Sequence, residues 1–383
     1  MELRANGAQS MIGAKSEQRL IGVDLLRALS ILAVLLVHWQ LCAPIAPPSS
    51  WIDRLTLAIS FRGNYGVTLF FVISGFLIMR NIMLREPDIY RLSLRAFYIR
   101  RIARIQPLML ASIAFGALML ALSGHSAVFR WGAPFTASFW ISLFTFTFNW
   151  LRVFHNGPIR GWGLHWDVMW SLAIEEQFYL LLPLVLLWSK KGWRFVPVAI
   201  CVILICTASR YVMAFTGLVD WEYTSLACFD ALAIGVIAAQ IAPLIPSRLG
   251  AQLMTAGGII IVVAGYPVKF NPPFSFLFVE LGAAAFILGA QASENLIGRV
   301  WFIPSLIGRL SYEMYLLHPA VLFFIAPYMN EWPLTFGWLV FSGITIAVAQ
   351  FVQQYFTEPV NVWLRFVLLK RRDAERKVLA RVV

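Results

Sequence analysis

RALSILAVLLVH, residues 27–38, sets ten uncharged residues between an arginine and a histidine near the start of the chain. The apolar run around it, 21–42, is long enough to cross a bilayer, which takes about 20 helical residues. An ionisable group inside such a segment is costly, so Arg27 and His38 call for an explanation. At about 100° per residue, the eleven steps between them end roughly 20° past three full turns, and both side chains share one helical face. Along the axis they stand ~16 Å apart. Asp24 falls on the same face, one turn below Arg27 and close enough to pair with it.

The rest of the chain fits a membrane setting. Of its 383 residues, 60% are hydrophobic and only 13% charged, with a mean hydropathy of +0.75; a soluble domain carries about a quarter charged residues. The net charge of +12 does not point to nucleic acid, because the basic residues cluster beside apolar segments as cytoplasmic loops do. Cys42, Cys201, Cys206 and Cys228 form no CxxC pair, so neither a metal site nor a disulfide framework is indicated. A basic stretch before 21–42, with Ala43 and Ala46 after it, imitates a secretory signal, but Asp24 and Arg27 interrupt the apolar core.

Spanning stretches are expected near 21–42, 65–83, 106–123, 168–188, 195–215, 223–243, 250–266, 273–291, 305–328 and 335–356. This predicts an all-α, polytopic membrane protein of about ten transmembrane helices. The positive-inside rule puts both termini in the cytoplasm. The segment 136–151 is apolar, but a full span there would place Lys190, Lys191 and Arg194 outside; it reads as a short re-entrant or interfacial element. The stretch 152–167, rich in Trp, Gly and His, is then an outer loop. The expected organisation is a cytoplasmic segment 1–20, a transmembrane domain 21–360 and a basic cytoplasmic tail 361–383 lying on the inner leaflet. No internal repeat or further soluble domain is visible.

Three more clusters carry chemistry. In WDVMWSLAIEEQFYLLLP (166–183), adjacent acids Glu175 and Glu176 lie within a span, where unpaired charges cost several kcal/mol, and Ser171, Glu175 and Tyr179 follow at i, i+4 on one face. In LSYEMYLLHP (310–319), Ser311, Tyr315 and His318 share a face. LRAFYIRRIARIQP (94–107) gathers Arg95, Arg100, Arg101 and Arg104 at the approach to a span. Plain structural roles compete with each: a snorkelling Arg27, a packing His318, and lipid-facing arginines.

At these residues the chain resembles the membrane-bound acyltransferase 3 family, bacterial enzymes that O-acylate sugars. The matching motifs are the Arg27/His38 pair, GVTLFFVISGFLI (66–78), FYIRRIARIQP (97–107), WSLAIEEQFYLLLP (170–183), LSYEMYLLHP (310–319) and TEP (357–359). Each is weak alone; in order along nearly the whole chain they are specific. The resemblance implies transfer of an acyl group, commonly acetyl, from cytoplasmic acyl-CoA to a carbohydrate hydroxyl beyond the bacterial inner membrane. It implies no permanently bound cofactor, no metal and no nucleic-acid partner. Lipopolysaccharide, exopolysaccharide, a signalling oligosaccharide and a small glycosylated natural product all fit as acceptors.

On that reading His38 is the general base, and Glu175 or Glu176 orients it or the sugar. Tyr315 or His318 supplies the oxyanion donor. Arg100, Arg101 and Arg104 clamp CoA phosphates, Arg27 guides the donor, and Asp24, Ser171, Ser311 and Asp230 support the site. One departure stands out: many members carry an arginine two residues before the acid of CFDALAIG (228–235), where this chain has Cys228, so the role of Asp230 is open. The rival class is a transporter or flippase for polysaccharide precursors, with the acids and histidines as a proton relay.

Overall fold

The computed structural model describes residues 20–42, 48, 50–86, 92–123, 136–154, 164–189, 195–218, 220–265, 272–293, 301–325, 328 and 332–370. The expected N-terminal segment, the outermost basic tail, residues 155–163 of the expected outer loop, and Lys190, Lys191 and Arg194 lie outside them. Among the described residues every regular element is helical and there is no strand.

The helices are α1 (Ile21–Cys42), α2 (Trp51–Ser60), α3 (Tyr65–Arg85), α4 (Leu94–Ser123), α5 (Ala137–Phe144), α6 (Phe148–Phe154), α7 (Met169–Trp188), α8 (Phe195–Phe215), α9 (Phe229–Ile241), α10 (Gly250–Gly265), α11 (Pro272–Ala292), α12 (Phe302–Arg309), α13 (Ser311–Ile325), α14 (Leu334–Val352) and α15 (Glu358–Arg365). Eight helical segments are long and apolar enough to cross a membrane, fewer than the ten expected. The other two expected spans are interrupted. Helix α9 has 13 residues, a rise of ~20 Å against the ~30 Å hydrocarbon core. The stretch 305–328 is broken at Leu310, where α12 ends and α13 begins.

Helix α1 is the hub. It packs against α3, α11, α12, α13 and α14, burying Val23, Leu26, Ile31, Val34, Leu35 and Trp39. The Trp39 indole N–H donates to the Leu334 carbonyl at 3.1 Å, tying α1 to the start of α14. Helices α8 and α10 instead expose Leu204, Ile205, Val212, Ile259, Val262 and Val263. Such an apolar outer surface suits lipid rather than water.

Helices α3 and α9 approach closely through reciprocal glycines. A Cβ at Gly75 would overlap the Leu232 carbonyl, and one at Gly235 the Val72 carbonyl. Small residues that let backbones meet are the usual device where lipid offers no hydrophobic drive to association. That accounts for the glycines in two of the sequence motifs.

The region 136–151 is not a span. Helices α5 and α6, 8 and 7 residues long, meet at a turn where Phe146 has φ 57°; each rises only ~10–12 Å. At the other end of the chain, helix continues from Leu334 through two wider turns, Gln353–Thr357 and Phe366–Lys370. The expected boundary at 361 therefore falls inside continuous helix.

Candidate active site

His38 and His318 meet in the bundle. Their rings stack with centroids 4.8 Å apart and planes at 20°. His318 Nε2 lies 2.9 Å from His38 Nδ1, and His318 Nδ1 lies 3.1 Å from the Met314 carbonyl. A carbonyl only accepts, so a neutral His318 carries its proton on Nδ1 and offers a bare Nε2. His38 must then donate from Nδ1, which leaves its own Nε2 with a free lone pair. The wall of main chain thus fixes two tautomers in series.

His38 lines a cavity of about 760 Å³ at the end of the bundle where α1 ends and α3 begins, together with Asn64, Thr68, Trp170, Tyr223 and Tyr315. A second cavity of about 870 Å³ lies deeper, lined by Arg27, Arg101, Arg104, Ser171, Glu175 and Ser311. The two share Val67, Phe71 and Tyr315. The second in turn shares Asn81, Arg101 and Arg104 with a third of about 580 Å³, whose other walls include Arg85, Arg100 and Arg365. The three adjoin from a mouth of arginines to the His38 lone pair. Arg27 borders the middle of this path and His38 its far end.

At the neck, the Tyr315 hydroxyl lies 2.6 Å from Ser171 Oγ, and both reach the Val168 carbonyl, at 3.2 and 3.3 Å. One proton joins the two hydroxyls and the other goes to the carbonyl. Nearer the mouth, Ser74 donates to Glu175 Oε1 at 3.0 Å and Tyr179 to Oε2 at 2.7 Å. Arg101 rests over the Tyr179 ring, 4.9 Å from its centroid. Arg27 pairs with Asp24 at 3.3 Å, the partnership the helical spacing predicts.

Two expected relationships are absent. Glu175 does not orient His38: its oxygens are held by Ser74 and Tyr179 on the arginine side, and His318 sets the His38 tautomer. Glu176 is buried but lines none of the three cavities. His318 has both ring nitrogens engaged and the Tyr315 hydroxyl is engaged with Ser171 and Val168, so either would have to leave a partner to serve an oxyanion.

Asp230 finds its cation elsewhere in the chain. Arg210 of α8 ion-pairs with Asp230 and, at 3.0 Å, with Glu280 of α11, all three buried. The guanidinium that Cys228 does not supply thus comes from a neighbouring helix. Around the His38 cavity a second network forms: Arg152 pairs with Asp167 and Asp220, and stacks 3.2 Å from the Tyr223 ring centroid. Sequence reasoning missed Glu280, Arg152 and Arg365. Arg210 and Glu280 each carried a signal as a charge inside a span seeking a partner.

Comparison with known proteins identifies the family. Residues 20–352 match the profile of the acyltransferase 3 family, described as an acyltransferase domain. The peptidoglycan O-acetyltransferase OatA of Listeria monocytogenes is 26% identical over 80% of this chain and 50% of its own length. The putative peptidoglycan O-acetyltransferase YrhL of Bacillus subtilis is 25% identical over 88% and 54%, and a putative O-acetyltransferase of Staphylococcus aureus (strain COL) 23% over 88% and 56%. The chain spans about half the length of these curated relatives. No solved structure matches it. With the family's profile covering most of its length, and the family's motifs lining one connected set of cavities, the chain belongs to the acyltransferase 3 family.

Proposed function

We propose that the protein is a multi-pass O-acyltransferase of the bacterial inner membrane, moving an acyl group, acetyl first among them, from cytoplasmic acyl-CoA to a carbohydrate hydroxyl. The observation that carries this is the unpaired lone pair of His38 Nε2 in a cavity that joins, at Tyr315, a cavity ending in arginines. A sugar hydroxyl is a poor nucleophile until a base removes its proton as the new bond forms. Arginines suit the doubly charged phosphates of a nucleotide donor. Two of the relatives' names specify peptidoglycan, which supports a polymeric carbohydrate as acceptor.

In this reading CoA phosphates bind Arg100, Arg101 and Arg104, with Arg85 and Arg365 completing the mouth. The pantetheine arm lies along the middle cavity past Arg27, and the thioester reaches the neck. The sugar hydroxyl attacks its carbonyl carbon while His38 Nε2 takes the proton. Tyr315 turns its hydroxyl from Val168 to the oxyanion. The C–O bond re-forms its carbonyl, the C–S bond breaks, and the CoA thiolate receives the proton from His38. The ester stays on the sugar and the thiol leaves by the arginine mouth.

Purified protein in nanodiscs, given acetyl-CoA and an oligosaccharide, should release CoA thiol and add one acetyl mass to the sugar. Thiol release with no mass added to any glycan would refute the carbohydrate part. The sidedness has its own check: single cysteines at Ser93 and Ser138, in a chain freed of native cysteines, should differ in labelling by an impermeant reagent. Labelling of Ser93 from outside would reverse the orientation.

A further inference from the structure

The cavity at His38 is built with a charge excess. Asp167, Glu222 and Glu280 line it, and no lysine or arginine does among the described residues. Two guanidiniums that pair with these acids are each shared by two carboxylates: Arg152 by Asp167 and Asp220, Arg210 by Asp230 and Glu280; Arg62 stands beside the lining residues Gly63 and Asn64. Glu222 makes no ion pair among the described residues.

Glu280 is the most telling of these. It is 1% exposed, its Oε1 receives Arg210 at 3.0 Å, and its Oε2 has no hydrogen-bond partner. A buried carboxylate oxygen left bare is expensive, and this one lies beneath the cavity wall. Burial pushes the Glu222 carboxyl up from its ordinary value, and the like charge of Asp220 adds to that. Trp170, Tyr223 and Phe276 contribute apolar faces to the same walls. Tyr223 is fixed between the Arg152 guanidinium and the edge-on Trp170 ring, 4.7 Å between centroids. Acceptor oxygens beside rigid aromatic rings are suited to a ring that carries hydroxyls or amines and has apolar C–H faces.

Resting on the acyltransferase reading above, we propose that this cavity seats an uncharged or amino-bearing sugar unit and rejects units that carry a carboxylate or phosphate. Glu222 accepts hydrogen bonds from sugar hydroxyl or ammonium groups, and Glu280 adds negative charge from beneath the wall. An anionic unit would meet three carboxyl-bearing side chains in a lining without lysine or arginine, and like charges juxtaposed in a desolvated site weaken binding steeply.

The test is titration calorimetry on the full-length protein in nanodiscs, without donor, using three β-1,4-linked tetramers: of glucose, of glucosamine and of glucuronic acid. The first two should bind at least roughly tenfold more tightly than the third. In Glu222→Gln and Glu280→Gln that penalty should shrink by ~3-fold or more, because an amide removes the charge and keeps the shape. Should Glu280→Gln fail to fold for want of its pair with Arg210, the half-buried Glu222 still decides. Equal affinity for all three tetramers, binding by none, or an undiminished penalty in the folded variants would overturn the proposal. Acetyl transfer to the glucose tetramer is measured separately. Its absence with the binding order intact would count against the enzymatic reading alone.

Discussion

His38 and His318, 280 positions apart in the chain, share a hydrogen bond of 2.9 Å and a stacked contact of 4.8 Å. The second imidazole does for the first what a carboxylate does in many hydrolases: it fixes which nitrogen carries the proton. If His38 is the base, His38→Gln should lower acyl transfer by ~10² or more, with acyl-CoA affinity and thermal stability retained. His318→Phe keeps a ring but offers no acceptor, so its effect should be milder, ~10-fold to 10² in kcat at unchanged KM for the donor. Substantial turnover by a folded His38→Gln protein would move the chemistry to another group.

Arg101 over Tyr179 separates charge from platform. Arg101→Ala should weaken acyl-CoA binding by ~10-fold or more, since a desolvated arginine–phosphate contact is lost. Tyr179→Leu should weaken it ~3-fold or more through loss of the ring face, and Tyr179→Phe, which keeps that face, should do less. Calorimetric titration with CoA reads all three. Unchanged affinity in Arg101→Ala would leave the cluster as a lipid contact.

Arg210 should be worth more to folding than to catalysis. Arg210→Met strands Asp230 and Glu280 as two buried carboxylates, a loss on the order of 3–5 kcal/mol. A second change, Cys228→Arg, restores a guanidinium two residues before Asp230 and should recover part of the melting temperature. Double and single variants melting alike would show that the cation's position, and not only its charge, is fixed.

The glycine contact between α3 and α9 makes a sharp stability prediction. Gly75→Ala and Gly235→Ala should each lower the melting temperature in detergent, because the new methyl meets main chain rather than a yielding side chain. Gly343→Ala, with open space around it, is the control and should change little. Equal behaviour of the three would mean that the helices separate at no cost.

What the sequence made legible was local in the helix. The 100° step brings Arg27, His38 and Asp24 to one face, and the structure keeps Arg27 with Asp24 and lines both cavities from that face. The Ser171, Glu175, Tyr179 series was visible for the same reason, and Tyr179 does bond Glu175. Contacts between helices were not legible. Nothing around His318 announces His38, and nothing around Arg210 names Asp230, because a single charge on a helix carries no address. Span counting does not see breaks: a window of apolar residues does not register the interruption at Leu310.

The two-ring chain from His38 through His318 stops at the Met314 carbonyl, a group that cannot pass a proton onward. A proton that lands on His38 has therefore no wire to follow along this route. The membrane voltage can pull on it but cannot draw a current through it, which makes the pair electrically insulating. A pump needs the opposite construction, titratable groups in relay from face to face. Here the proton can only return the way it came, to whatever atom next offers a lone pair in the His38 cavity.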